Sequence, residues 1–204
     1  MPTVGKWRPS RPVVCFDECS KELHGHVADP IPATPGQPAK EDYEYTRHGT
    51  ANLFVIVEPL AGTRRVTVTD RRTIPDFAAQ MKYLCDVLYP AAAVIRVVLD
   101  NLNTHTLGSQ FATDPPEEAW RLARRLEFHC TPKHASWLNR AECELSVLGR
   151  PCLNRRVASR ERRSAEVAAW VAGRNRVNAK IVWTFRVADA RKKLDFLCPK
   201  ELVR

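Results

Sequence analysis

The chain has 204 residues, 44% apolar and 27% charged, a length that suits one domain and a composition that excludes a disordered or fibrous protein. No uncharged apolar run approaches the roughly 20 residues of a membrane span, and the N-terminus lacks the apolar stretch of a secretory signal, so a soluble cytoplasmic protein is expected. The net charge of +9 is uneven: residues 1–149 sum to −1, residues 150–193 to +10 and the last eleven to zero, and a near-neutral body with a basic segment points to a polyanion partner, most simply nucleic acid.

Val13-Val14-Cys15-Phe16-Asp17-Glu18, behind Pro12, reads as a buried strand ending in acid. Four prolines and Gly36 within 29–39 predict an extended loop. Tyr43 to Arg47 alternates, Ala51 to Glu58 is an apolar run, Pro59 to Gly62 a turn, and Arg65 to Thr69 β-branched. The run and the β-branched segment read as an antiparallel hairpin. From Asp76 the period becomes helical: Phe77, Met81, Leu84 and Leu88 share a face, and Pro90 closes the segment. Val94 to Leu99 is almost continuously apolar, as in a strand covered on both faces. Pro115-Pro116-Glu117-Glu118 opens a helix reaching about Leu126, with acids in its first turn. Leu126 to Cys130 is a further strand and residues 138–149 a helix. Val167, Trp170, Val171 and Val177 mark another helix, and 187–197 a last one. The order predicts a mixed α/β sheet with helices on its faces, a core over 1–150 and a basic helical extension over 151–204 packed on it.

Two acids sit at strand ends: Asp17 at or near the end of the first, Asp100 closing Val-Ile-Arg-Val-Val-Leu-Asp. Catalytic and ligand-binding groups of open α/β sheets gather at such ends. A third, Glu142, lies four residues after Leu138 and three before Leu145, along the apolar stripe Leu138, Ala141, Leu145, Leu148. A carboxylate there needs a cation, a hydrogen bond or a metal. Glu144, at the stripe's edge, reads as an ordinary solvated acid. Three carboxylates without thiolates suit a hard ion such as Mg²⁺ or Mn²⁺ and would repel one another without it. Two such ions about 4 Å apart form the clamp for in-line phosphoryl displacement. Seven cysteines, odd in number and without a Cys-x-x-Cys pair, read as reduced thiols. His24, His26, His48, His129 and His134 show no ligand spacing.

In chain order, Phe16-Asp17-Glu18, Leu99-Asp100-Asn101-Leu102-Asn103-Thr104-His105, and Thr131-Pro132 through Ser136-Trp137-Leu138-Asn139-Arg140-Ala141-Glu142 resemble the three signature blocks of the DDE transposases, in the form seen in bacterial insertion-sequence transposases of the mariner-like superfamily. Tyr43 to Phe54 also resembles the linker between that family's early strands, so the likeness covers roughly residues 13–150. The resemblance implies a ribonuclease-H-like fold, shared with retroviral integrases. It assigns catalysis and the binding of two Mg²⁺ or Mn²⁺ ions to Asp17, Asp100 and Glu142. It implies DNA strand cleavage by water, then strand transfer by the freed 3′-hydroxyl. Glu18, Asn101, Asn103, His105 and Asn139 would support the ligands or touch DNA, and Trp137 would pack in the core. The implied partner is double-stranded DNA, at transposon ends and target, held by a homodimer in a bacterial nucleoid.

Such transposases carry N-terminal helix-turn-helix domains. This chain begins about a dozen residues before its first strand, so recognition of transposon ends is expected to be lost or supplied by another chain. The 41 residues between Asp100 and Glu142 exceed the usual mariner spacing, and residues 111–118 absorb the excess. Arg150, Arg155, Arg156, Arg160, Arg162 and Arg163 crowd fourteen positions directly after the Glu142 helix. Their planar forks suit phosphate oxygens, which predicts a grip on the DNA backbone. Alternative readings are a ribonuclease-H-like nuclease outside transposition, and a non-catalytic DNA-binding remnant or regulator of an intact transposase.

Overall fold

The structure, a computed structural model, describes residues 10–132 and 135–184, with positions 188, 189 and 192. Strands β1 (Val13–His26), β2 (Tyr45–Glu58), β3 (Thr63–Thr69), β4 (Ile95–Leu99) and β5 (Leu126–Cys130) form one sheet in the order β3-β2-β1-β4-β5. The first three make an antiparallel meander, and β4 and β5 join it parallel to β1. The helices are α1 (Ile74–Tyr83), α2 (Gly108–Thr113), α3 (Pro116–Ala123), α4 (Arg140–Leu148) and α5 (Arg160–Arg176). Wide π-turns over Leu84–Leu88 and Gly149–Leu153 extend α1 and α4. Of the helix expected over 187–197 only positions 188, 189 and 192 are described, and these are helical; the rest lies outside the described residues. No described helix is long and apolar enough to cross a membrane.

Alternation along β1 divides the core. Val14 and Phe16 face one side, with Phe54, Ile56, Ile95, Val97 and Leu99 of the neighbouring strands, and there meet Phe77 and Met81 of α1 and Leu122 of α3. Cys15 faces the other side, with Val55 and Val57, under Ala141 of α4. Further along that side Leu53, Leu148 and Cys152 pack against Val167 of α5, with Trp170 and Val171 beside them. Val177, expected on the same helix, follows its end and is exposed.

The long strands differ from expectation. β1 does not stop at its acids but continues to His26, and the segments 43–47 and 51–58 merge into one strand. The two pair with each other from Cys15↔Val57 to His26↔Tyr45, across one bulge between Glu22 and His24. That ladder satisfies the backbone of polar residues whose pattern alone does not signal a strand. Between them, residues 27–44 close on reciprocal bonds from Ile31 to Lys40 and Thr34 to Gln37, with Gly36 turning at φ 81°. The six-residue α2 carries too little apolar periodicity to be read from sequence.

Glu144 is the main correction in α4. It is 2% exposed rather than solvated. Arg64 of β3 approaches it at 3.1 Å and Arg174 of α5 at 2.8 Å. Asn175 locks the same junction, accepting from the Arg64 backbone N–H at 2.9 Å and donating to its carbonyl at 2.8 Å. Because α5 covers the flank of α4, that helix buries two sides, and its second buried side needs a charge to meet Arg64. Glu144→Gln keeps the shape but strands a buried guanidinium, so we expect a loss of about 3 kcal/mol in urea unfolding; a change below about 0.5 kcal/mol would show the network to be incidental.

Candidate metal centre

β1 and β4 run parallel in the register Val13↔Arg96, Val14↔Val97, Cys15↔Val98. Two residues further along stand Asp17, on the face that α4 covers, and Asp100, just past the end of β4 and near enough to act on the Asp17 charge. Asp100 directly follows β4, as its apolar run predicts, whereas Asp17 lies within β1 rather than at its end. β4 stops and β1 does not, so a cleft opens along β1 beyond the two acids.

Glu142 reaches this cleft from α4. The helix starts at Arg140, later than expected, after a separate 3₁₀ turn at Ser136–Leu138. Asn139 is the N-cap: its Oδ1 accepts from the Ala141 N–H at 3.2 Å. Its Nδ2 donates to the Phe16 carbonyl at 2.7 Å and lies 3.4 Å from Asp17 Oδ2. One fully buried amide thus stitches the helix start to the strand beside Asp17. Glu142 is the third helical residue, where the helix's positive end favours a carboxylate. Half-buried, it lines with Asp17 a cleft of about 400 Å³ whose walls include Glu18, Cys19, Lys21 and Asn154.

Asp17 is only 8% exposed. Burial, then the nearby Glu142, with smaller contributions from Asp100 and Glu18, push its pKa up to about 7, against the pull of the Glu18 backbone N–H at 2.8 Å. Among the described residues neither Asp17 nor Glu142 has a cationic partner. Burial pushes the thiols of Cys15 and Cys19 up to about 11, so they bring no thiolate to the site. The donor set is therefore oxygen only, uncompensated and mutually repelling, which fits a hard divalent ion. Among the described residues no three acid, histidine or cysteine side chains already close into a ligand cluster; Asp17 and Glu142 line one cleft, and Asp100 stands outside its lining, held by His105.

His105 holds Asp100 from behind. Its Nδ1 lies 2.5 Å from Asp100 Oδ1 and its Nε2 2.8 Å from Glu18 Oε2. The second contact is an ion contact rather than an aligned hydrogen bond. The ring packs on Phe16 and Phe77, with centroids at 5.3 and 4.9 Å. Burial lowers its pKa, but Glu18 and Asp100 together outweigh this and hold it above the ordinary imidazole value. Asn101 donates to the Thr131 carbonyl at 2.7 Å, tying the end of β4 to the end of β5. Asn103 is exposed. Trp137, expected in the core, is 38% exposed.

The basic segment departs furthest from expectation. Arg163 is 1% exposed and donates to the Cys152 carbonyl, so it cannot meet a phosphate without unpacking α5. Arg156 commits its guanidinium to the carbonyls of Glu44 and Tyr43 at 2.8 and 3.2 Å. Arg160 pairs with Asp70, and Arg155 and Arg162 share Glu166 at 2.7 and 3.5 Å. Arg150 is exposed and has no ion-pair partner among the described residues. Charge counting finds the excess, but not that α5 uses much of it to anchor itself. It also passes over Lys21, whose only sequence signal is its even spacing from Asp17 along a strand.

A five-stranded mixed sheet in this order, flanked by helices, has the ribonuclease-H-like fold, and the chain belongs to the DDE superfamily endonucleases, whose sequence profile matches residues 12–163. Among solved structures it is similar to Mos1 transposase. The Mos1 paired-end complex with the left transposon end matches at TM-score 0.56 and 16% identity, over 79% of this chain and 48% of that one. The Mos1 mariner paired-end complex with Mn gives 0.54 and 16%, over 82% and 50%, and the pre-cleavage Mos1 transpososome 0.55 and 16%, over 79% and 48%. The chain is thus a DDE endonuclease-family domain that shares the fold of part of those chains and spans about half their length. No curated protein matches it significantly.

A carboxyl whose pKa is higher in the folded than in the unfolded state costs stability as pH rises. For Asp17 the cost is small below about pH 4 and complete above about 7. We expect Asp17→Asn to raise the melting temperature in EDTA at pH 8 by several degrees, on the order of 2 kcal/mol, and by much less at pH 4.5. Equal melting of the two proteins at pH 8 would mean that Asp17 carries no such burden.

Proposed function

We propose that the chain is the catalytic domain of an insertion-sequence transposase that cuts and joins DNA strands, with two Mg²⁺ or Mn²⁺ ions held by Asp17, Asp100 and Glu142. The observation that carries this reading is the Asp17 carboxyl, buried, close to Glu142 and Asp100, with no protein cation beside it among the described residues. A buried acid repelled by two neighbouring carboxylates is a liability in a DNA-binding remnant and a requirement in a metal enzyme, which favours the catalytic reading.

When bound, the ions would supply Lewis-acid stabilisation of the attacking and leaving oxygens. The chain's residues do the rest. Asn139 sets the distance between the strand bearing Asp17 and the helix bearing Glu142. His105, backed by Glu18, fixes the rotamer of Asp100. The shared cleft admits a phosphodiester between them. In the first step a water oxygen bonds to phosphorus, the P–O3′ bond breaks, and a 3′-hydroxyl forms on one side of the nick and a 5′-phosphate on the other. In the second that 3′-oxygen attacks a target phosphodiester and displaces the target's 3′-oxygen, which leaves as a hydroxyl. The DNA substrate is a duplex at transposon ends and target, worked on by two copies of the chain. Of the basic segment, Arg150, Arg155 and Arg162 retain the exposure to meet its backbone.

Asp100→Asn removes charge from the metal site with little change of shape. We expect it to reduce Mg²⁺-dependent nicking of supercoiled plasmid by at least about 10³-fold, in line with loss of a main electrostatic contribution, and EDTA to do the same to the unaltered chain. Undiminished nicking in either arm would remove the metal-enzyme reading.

A further inference from the structure

We infer that Lys21 is a DNA-binding residue of the cleft: its ammonium grips a backbone phosphate of the strand being cut, a short distance from the scissile bond. The inference rests on the proposed function and adds to it a specific group that anchors substrate.

Three observations carry it. First, Lys21 lines the same cleft as Asp17 and Glu142. It sits on β1 two residues after Cys19 and four after Asp17. The bulge in β1 comes later, between Glu22 and His24, so Asp17, Cys19 and Lys21 lie on one face. Second, among the described residues Lys21 has no ion-pair partner, although it is half-buried. A half-buried ammonium that no acid claims, in the same cleft as Asp17 and Glu142, which no cation among the described residues claims, is not arranged for the stability of the chain alone. Had folding stability shaped the cleft, cation and acids would be paired, as Glu144 is with Arg64 and Arg174. Third, most arginines of the basic segment are engaged: Arg155, Arg160 and Arg162 pair with acids, Arg156 binds carbonyls, and Arg163 is buried; exposed Arg150 is not among the residues that line this cleft.

The spacing fits a polyphosphate track. Four residues of strand advance about 13 Å, the axial span of a few nucleotides at about 3.4 Å each. Carboxylates at one end of the cleft would face a phosphate through metal ions, and Lys21 would meet a later phosphate of the same strand directly. Cys19 between them is a half-buried thiol and adds no charge of its own. Asn154 and Ser146 line the cleft on the α4 side and offer neutral hydrogen bonds. A point charge on a flexible stem suits a single phosphate oxygen and reads no base, so Lys21 would serve any sequence.

The test uses the whole chain, a 40-base-pair duplex of arbitrary sequence and plasmid nicking in Mg²⁺. Fluorescence anisotropy from about 50 to 200 mM salt measures the slope of log affinity against log salt. Lys21→Gln should bind about tenfold more weakly at the low end and lower the slope by about 0.9, as expected when one fewer phosphate is neutralised. Lys21→Arg should restore both. If the unaltered chain binds and nicks while Lys21→Gln keeps its affinity and slope, this inference falls alone. If Gln and Arg variants bind equally poorly, the role is structural and the inference also falls. If the unaltered chain neither binds duplex nor nicks plasmid, the proposed function falls and the Lys21 inference with it.

Discussion

Asp17 cannot ionise cheaply where it stands. It is buried in a sheet, next to two other carboxylates, and no side chain of the described residues neutralises it. In a medium of low polarisability such an arrangement persists only if the scaffold holds each acid against repulsion. The surroundings form that scaffold. The β1–β4 pairing brings Asp17 and Asp100 near each other, the Asn139 amide pins the helix of Glu142 to the strand, and His105 closes the rear of the cluster by bridging Asp100 and Glu18.

The opposing stabilisation lies on the far flank of α4. Glu144 sits two residues after Glu142 and has the opposite circumstance, with two arginines for one acid. The same helix therefore carries an acid saturated with cations and an acid deprived of them. The first locks α4 to β3 and α5, so the second can be left open. Three cations of the C-terminal segment serve this packing: Arg174 in the lock, and Arg160 on Asp70 and Arg163 on the Cys152 carbonyl in seating α5.

Sequence reasoning reaches the strands of the core because their apolar runs are long and β-branched, and it reaches Asp17 and Asp100 because each follows such a run. It places Glu142 correctly near the sheet, but for a partly mistaken reason. The helix begins at Arg140, and Asn139 with Glu142 has the spacing of a capping box, so the pattern N-x-x-E by itself would be satisfied by a helix start. What periodicity cannot show is which two sides of α4 are covered, since that depends on α5, which comes later in the chain. The burial of Glu144 escapes a sequence reading for this reason. The arginines escape it for a related one: a charge sum counts cations without their partners, and Glu166, Asp70 and the carbonyls of Tyr43 and Glu44 are brought to them only by the fold. The polar half of β1 is invisible in sequence because its hydrogen bonds, not its side chains, make it a strand.

The register of β1 against β4 also governs how the domain comes together in time. The β1–β2–β3 meander joins neighbours in sequence, whereas Val13 and Arg96, which open the parallel pairing, are 83 positions apart. Closing so large a loop is entropically slow compared with zipping a hairpin. A chain emerging from the ribosome can build the meander early, but must be made past β4 before Asp17 and Asp100 meet, and past Asn139 before α4 is tethered. Incomplete or misfolded copies thus carry the individual acids without their alignment, which exists only once the whole core is threaded.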